Sequence, residues 1–361
     1  MTSCPPGQIG LINAYSTLNL GDAAIYSAFS TLMPEAVLVA CVQDTEPDAK
    51  LGVAFQQRRP RQCAAYVSVG GDIFNNSREW LITKAFLLNL AELTRHPSRT
   101  ILFGQSIPRS CHGLSFFALC QGLKRLAAVC VRDAESHRRL RQAGVEARLS
   151  FDTAFVLQSS DSAQRAAVSL FKGIDLDPSQ AAVVSVRAFD SMYTHDNQSF
   201  VQRMAALCRG LLQEGLTPTM LIQSRAYGAD NDLSVAHAIQ VQAPGTAVLD
   251  PFLPDGLVPS WQLAMAVFAM AHRVIAVRYH TAVLSLAAGK VPFHLHYSNK
   301  GRDLCQRLHL PGSDLGLFDP GRTLDAILAS PPQGFDHQAI RDQVRRDFAW
   351  AMGQLPLMGS R

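Results

Sequence analysis

Apolar and polar positions along this chain follow two rhythms. Short apolar runs, each closed by glycine or polar residues, alternate with longer segments whose apolar residues recur at helical spacing. In the first half, runs at 8–15, 37–42, 64–69, 100–105 and 128–132 predict strands. Segments at 21–33, 78–94, 113–127 and 134–143 predict helices, the last closed by Gly144. In the second half, strands are expected at 182–186, 219–223, 246–249 and 274–277, and helices at 197–214, 230–242 and 257–271. The stretch 273–300 reads as a strand, a turn, a helix starting at Thr281, a further strand, and a polar loop ending in Lys300. Helical patterns at 324–329 and 336–352 close the chain.

Strand–helix alternation with short links predicts parallel sheets covered on both faces. The expected class is α/β, with two Rossmann-like doubly wound domains facing one another across a cleft. The expected boundaries are 1–160 and 161–335, with the crossing at 152–173 and a helix in 336–361 rejoining the first domain. A length of 361 residues suits two domains of ordinary size.

Composition narrows the class. With 48% hydrophobic and 17% charged residues, the chain can bury large cores and does not read as disordered. A formal charge of +4 spread along the chain suits an anionic small molecule or peripheral contact with a membrane, and is too weak to argue for nucleic acid. The eight cysteines form no C-x-x-C and mostly lie in apolar runs, so they read as buried free thiols of a reducing compartment. The N-terminus lacks a basic segment followed by a long apolar one, and no apolar run reaches membrane-spanning length. A cytoplasmic enzyme is expected, in some cases held at the inner face of a membrane.

Candidate chemistry collects where strands end, the edge at which open α/β sheets bind ligands. Ser16-Thr17-Leu18-Asn19-Leu20-Gly21-Asp22 follows the first strand; Gly21 permits close backbone approach, and Asp22 reads either as a helix cap or as a site carboxylate. Gly70-Gly71-Asp72 and Gly104-Gln105-Ser106 end two more strands, either as plain turns or as rim loops. Arg132 precedes Asp133, a helix cap, and Asp152 is a carboxylate in an apolar segment that needs a partner. In the second half Arg187 ends one strand, Gln223, Ser224 and Arg225 another, and Arg278-Tyr279-His280 a third. With Lys300, these cations suit an anion carrying phosphate and carboxylate. A single histidine at a helix start is commonly structural; the repeated pattern of polar strand ends favours a functional reading of His280. No metal site is expected: Asp175-Leu176-Asp177 sits in a loop, and His294 and His296 lack partners at ligand spacing. The chain also has no Walker loop, no G-x-G-x-x-G and no G-x-S-x-G.

The segments N-L-G-D at 19–22, G-G-D at 70–72, V-R-D-A-E-S at 131–136, F-D-T-A-F at 151–155, R-Y-H-T-A-V-L-S-L-A-A-G-K-V-P from 278 and Y-S-N-K at 297–300 together resemble the polysaccharide pyruvyl transferase family. The resemblance implies a fold like that of GT-B glycosyltransferases. It also implies transfer of the enolpyruvyl unit of phosphoenolpyruvate to a glycan or lipid-linked glycan precursor as a pyruvate ketal, with release of phosphate and no cofactor. In that reading His280, Asp22 and Asp152 are the catalytic candidates. Asn19, Gly21, Gly70, Gly71, Arg132, Arg187, Gln223, Ser224, Arg278, Tyr297 and Lys300 are the binding candidates, the second domain holding the donor and the first the acceptor. The chain departs from the family in having two glycines where three are usual, and in the polar His294-Leu295-His296. Two other readings stay open: a GT-B-type glycosyltransferase using a nucleotide sugar, and a non-catalytic relative.

Overall fold

The structure is a computed structural model and describes residues 7–76, 81–189, 196–226, 231–252 and 256–356. The chain divides into two compact units. The first comprises residues up to Thr17, Asp22–Leu157 and the segment from Gln338; the second comprises Leu18–Gly21 and Gln158–His337.

The first unit contains β1 (Gln8–Ile12), α1 (Leu20–Leu32, whose first two residues count with the second unit), β2 (Val37–Ala40), β3 (Ala54–Phe55), β4 (Ala65–Ser68), α2 (Lys84–Leu93), β5 (Thr100–Gln105), α3 (Gly113–Leu123), β6 (Ala128–Val131), α4 (Ala134–Gln142) and β7 (Arg148–Leu149). Its seven strands run in the order β3-β2-β1-β4-β5-β6-β7, and every pairing is parallel. The central strands are buried on both faces, which is why they read as unbroken apolar runs. Phe86 and Leu93 of α2, Leu119 and Leu123 of α3 and Leu140 of α4 pack with Leu102, Val129 and Val131, so these three helices cover one face of the sheet.

The second unit contains α5 (Asp161–Gly173), β8 (Ala181–Ser185), α6 (Asn197–Gln213), β9 (Thr217–Leu221), α7 (Leu233–Gln242), β10 (Ala247–Leu249), α8 (Ser260–Met270), β11 (Arg273–Ala276), α9 (Tyr279–Ala287), β12 (Phe293–His296), α10 (Asn299–Leu308), β13 (Gly312–Asp314) and α11 (Pro320–Ala329). Its six parallel strands run β10-β9-β8-β11-β12-β13. The final helix α12 (Gln338–Gly353) counts with the first unit, where Phe348 packs edge-on against Phe103 with ring centroids 5.1 Å apart.

Both units are therefore doubly wound, and strand order reverses between β1 and β4 in one and between β8 and β11 in the other. Ligands of open α/β sheets bind outside the strand ends at such reversals. The chain segments after these four strands begin at Asn13, Val69, Val186 and Val277, so the N-L-G-D, G-G-D and R-Y-H motifs all follow a strand at a reversal point.

Three local readings are corrected. The segment 152–173 is not only a crossing: Ser160 caps a helix there, its hydroxyl accepting from Ala163 N–H. After the link Tyr297-Ser298 the chain is not a loop ending in Lys300 but enters α10 at Asn299. Helix α9 begins at Tyr279, so His280 sits inside its first turn. The start of the helix expected at 78–94 falls partly on residues outside the described ones, as does residue 230 of the helix expected at 230–242. All seven cysteines among the described residues are free, and burial pushes the thiols of Cys111, Cys130, Cys208 and Cys305 up to about 12, which leaves them protonated and unreactive at neutral pH. Among the described residues no helix is long and apolar enough to cross a membrane, and no cluster of metal-ligating side chains occurs.

Candidate active site

In the second unit the carboxyl ends of β8, β9 and β11 are tied together by one buried carboxylate. Asp232, at the N-cap position of α7, accepts from the backbone N–H groups of Gln223 and Ser224, both at 3.0 Å. Its other oxygen accepts from Arg278 Nη2 at 2.5 Å and Nε at 3.2 Å. Arg278 Nε also reaches the carbonyl of Val186, and Ser185 Oγ accepts from the N–H groups of Val277 and Arg278. Arg278 was expected to bind substrate. It is almost fully buried against Asp232, so its charge is used inside the protein. The same holds for Gln223, whose side-chain oxygen accepts from Thr281 Oγ1 in the first turn of α9. Ser224 is also buried, and its hydroxyl accepts from Ala226 N–H.

The segment Leu18–Gly21 lies on this platform. Leu20 N–H donates to the Gln223 carbonyl (2.9 Å), Arg225 N–H donates to the Leu18 carbonyl (2.8 Å), and Asn19 bridges to Ser224. Asn19 Oδ1 accepts from Gly21 N–H at 2.9 Å, the local turn bond that its short amide favours. Gly21 packs directly against His280: a methyl group at this position would overlap the ring where it stands.

His280, Arg187, Tyr297 and Lys300 are partly exposed on this platform. Arg187 donates to the Tyr297 hydroxyl, and its guanidinium stands 5.2 Å from that ring's centroid. Lys300 Nζ stands 5.2 Å from the Tyr279 ring, which meets the His280 ring edge-on at 5.4 Å. Arg187 is thus held on Tyr297, and Lys300 and His280 on Tyr279, in the segments that follow β8, β11 and β12.

The first unit has its own polar strand ends. Arg132, buried at the end of β6, donates to Asp152 Oδ2 at 2.6 Å and to Ser106 Oγ at 2.9 Å, and Asp72 Oδ1 lies 3.5 Å from Nη2. Asp152 Oδ1 accepts from Ala154 N–H. Asp152, one of the catalytic candidates, has no exposed side-chain surface, and both its oxygens are engaged, one of them on Arg132. Gly71 lies beside this guanidinium, since a methyl group there would sit 3.7 Å from Arg132 Nη2. Gly70 packs so that a methyl group would meet the Asn13 carbonyl at 2.6 Å. Asn13 Nδ2 donates to Ser68 Oγ, which donates to Gln105, joining the ends of β1, β4 and β5. Asp22 lies in the first turn of α1, a favourable place for a carboxylate, and it is partly exposed. Together with burial, its charge holds the Tyr26 hydroxyl protonated well above the usual range.

A sequence model of the polysaccharide pyruvyl transferase family matches residues 19–299, well over half of the chain. The chain belongs to the polysaccharide pyruvyl transferase family. No curated protein matches it in sequence. Among solved structures, Anabaena HepE in complex with UDP-glucose is similar at a TM-score of 0.53 and 10% identity, over 96% of this chain and 94% of that one. The UDP-GlcNAc 2-epimerase of Methanocaldococcus jannaschii is similar at 0.54 and 8% identity, over 95% of this chain and 99% of that one. At these identities the likeness carries the fold alone, and that fold is GT-B-like.

The residues that sequence reasoning missed in this pyruvyl transferase relative are the buried partners. Asp232 occupies a helix start, where an aspartate reads as an ordinary cap, and only the sheet order shows that it faces three strand ends. His294 was set aside as a weak metal candidate. It is fully buried, Nδ1 donates to the Ala276 carbonyl at 2.7 Å, and Nε2 points at Gly301 in the first turn of α10. Burial, together with the nearby His296 and Lys300, lowers its pKa to about 4 from the ordinary 6.5, outweighing the hydrogen bond to Ala276, which acts to raise it. A histidine held neutral when folded stabilises fully above its unfolded pKa, and that stabilisation is lost as pH falls from about 6.5 to about 4. Each pKa unit is worth about 1.4 kcal/mol, so the acid limb from this residue is about 3 kcal/mol. His294→Asn keeps a donor for Ala276 and cannot titrate. Denaturant midpoints measured from pH 7 down to about 4 are expected to fall less in this variant than in wild type; equal slopes would remove His294 as the cause.

Proposed function

We propose that this family member transfers the enolpyruvyl unit of phosphoenolpyruvate to two hydroxyls of a sugar, in a glycan or lipid-linked precursor, as a pyruvate ketal. The observation that carries this reading is that Arg187, His280 and Lys300 all follow strands at one edge of the second sheet, β8, β11 and β12, and keep part of their surface exposed there. Two cations match a ligand with a phosphate and a carboxylate on one carbon, and an imidazole can donate a proton near neutral pH. His280 protonates the methylene carbon, and a sugar hydroxyl attacks the neighbouring carbon. Phosphate then leaves, and the second hydroxyl closes the ketal. One hydroxyl proton replaces the one given by His280, and the other leaves with phosphate. We assign Asp22, which follows Gly21 in the chain, to orienting or deprotonating the sugar hydroxyl. In this reading the second unit holds the donor and the first unit the acceptor.

The likeness to HepE, which was solved with UDP-glucose, favours one second reading, a transferase using a nucleotide sugar. The two separate by thermal stabilisation. Phosphoenolpyruvate at a hundred times its Kd stabilises by about 2.7 kcal/mol, an upward shift of a few degrees in Tm. UDP is expected to give none. Phosphate release from phosphoenolpyruvate in the presence of sugar acceptors then tests the reaction. A shift with UDP and none with phosphoenolpyruvate overturns the assignment.

A further inference from the structure

Among the described residues eleven large hydrophobic side chains are exposed, and five of them, Leu81, Leu87, Leu88, Leu114 and Phe117, lie on or beside α2 and α3. Single exposed leucines are ordinary, but a concentration of this kind on adjacent helices is not. The two helices cover the same face of the first sheet, and they touch where a methyl group on Gly122 would meet Thr94 and Leu90. Their outward stripes follow helical spacing. On α2 the stripe is Lys84, Leu88, Ala91 and then Arg95; on α3 it is Leu114, Phe117, Gln121 and then Lys124 with Arg125.

Charge on this face is mainly positive among the described residues. Neither stripe carries a carboxylate. Arg58, Arg59 and Arg61 add to it from the preceding segment, and a cavity of about 210 Å³ is lined by Arg59, Arg61, Leu88, Arg95 and His96. Glu92 also lines this cavity and pairs with Arg59 at 3.5 Å, leaving a cationic excess. Cations at the end of a helix suit its dipole. The dipole gives no reason for leucines and a phenylalanine to stand exposed on the same stripes. Two arginines of α4 are engaged elsewhere: Arg138 is paired with Glu135, and Arg139 is tied to the carbonyls of Ile107 and Pro108 and stacks on Phe116.

We infer that the outward face of α2 and α3 is a docking surface for an anionic phospholipid bilayer. Leu87, Leu88, Leu114 and Phe117 enter the headgroup boundary, and the surrounding lysines and arginines meet lipid phosphates. Apolar insertion and basic attraction are each marginal alone and add up to reversible binding. This surface is independent of the catalytic reading, because it is tested by binding rather than by turnover.

The test is co-sedimentation of the full chain with vesicles. Wild type is expected to pellet with equal parts phosphatidylglycerol and phosphatidylcholine, to stay in solution with phosphatidylcholine alone, and to be released as salt rises. Leu88→Ser with Phe117→Ser, and separately Lys124→Glu with Arg125→Glu, are each expected to weaken binding at least about ten-fold. Arg165→Glu with Lys172→Glu, an equal charge change on exposed positions of α5, is expected to leave it unchanged. Wild type that is folded by circular dichroism and fails to bind anionic vesicles overturns the proposal. So does an equal loss in the α5 variant. A concentration-dependent dimer abolished by Leu88→Ser with Phe117→Ser also overturns it, by making the face a contact between copies.

Discussion

Asp232→Ala is expected to destabilise the second unit by about 3–5 kcal/mol, the cost of leaving a buried charge without its partner. The variant strands the Arg278 guanidinium in a site that is almost closed to solvent, and it removes the acceptor of two backbone N–H groups. Arg278→Met is expected to cost less, because the carboxylate it leaves behind still accepts from Gln223 and Ser224. Asp232→Asn should fall between, since it keeps the shape and one acceptor but not the charge. Denaturant unfolding of the three variants checks the order. A loss of less than about 1 kcal/mol for Asp232→Ala, the scale of an exposed ion pair, would show that the platform does not depend on this carboxylate.

That prediction could not have been framed from the sequence, and the reason is physical. Strand and helix periodicity records which face of an element is buried, so the alternation of elements, the α/β class and the GT-B-like fold were legible. Some elements were not. Helix α5 buries Ala163, Ala167 and Phe171, and the segment reads as a crossing because it links the two halves rather than sitting between two strands of one sheet. The two-residue strands β3 and β7 are too short for any periodicity. The site was legible as positions and not as roles. Strand-end motifs located Gly21, Arg132, Arg187, Arg278 and His280 correctly at the sheet edges. Whether an arginine faces substrate or a buried carboxylate depends on partners far away in sequence. Arg278 and Arg132 were spent internally on Asp232 and Asp152, 46 and 20 residues away. Arg187 and Lys300 stack on tyrosines and keep partly exposed heads.

Turnover should fall by about a hundred- to ten-thousand-fold in His280→Ala, the range expected when a general acid is removed. The fold should survive the change. His280 is partly exposed, and the helix around it is anchored by the Ser185 hydroxyl and by the bond between Thr281 and Gln223. A drop in kcat with a nearly unchanged KM for phosphoenolpyruvate is the signature of a proton donor that acts after binding. A rise in KM alone would make His280 a binding group. Gly21→Ala gives the complementary measurement. Its added methyl overlaps the imidazole without altering its chemistry, so it should shift the ring and lower kcat while the residue is still present. If His280→Ala turns over normally, the proton comes from another group, and Gly21→Ala should then be silent as well. If only His280→Ala is impaired, the ring tolerates displacement and its exact placement against Gly21 is not required for the chemistry.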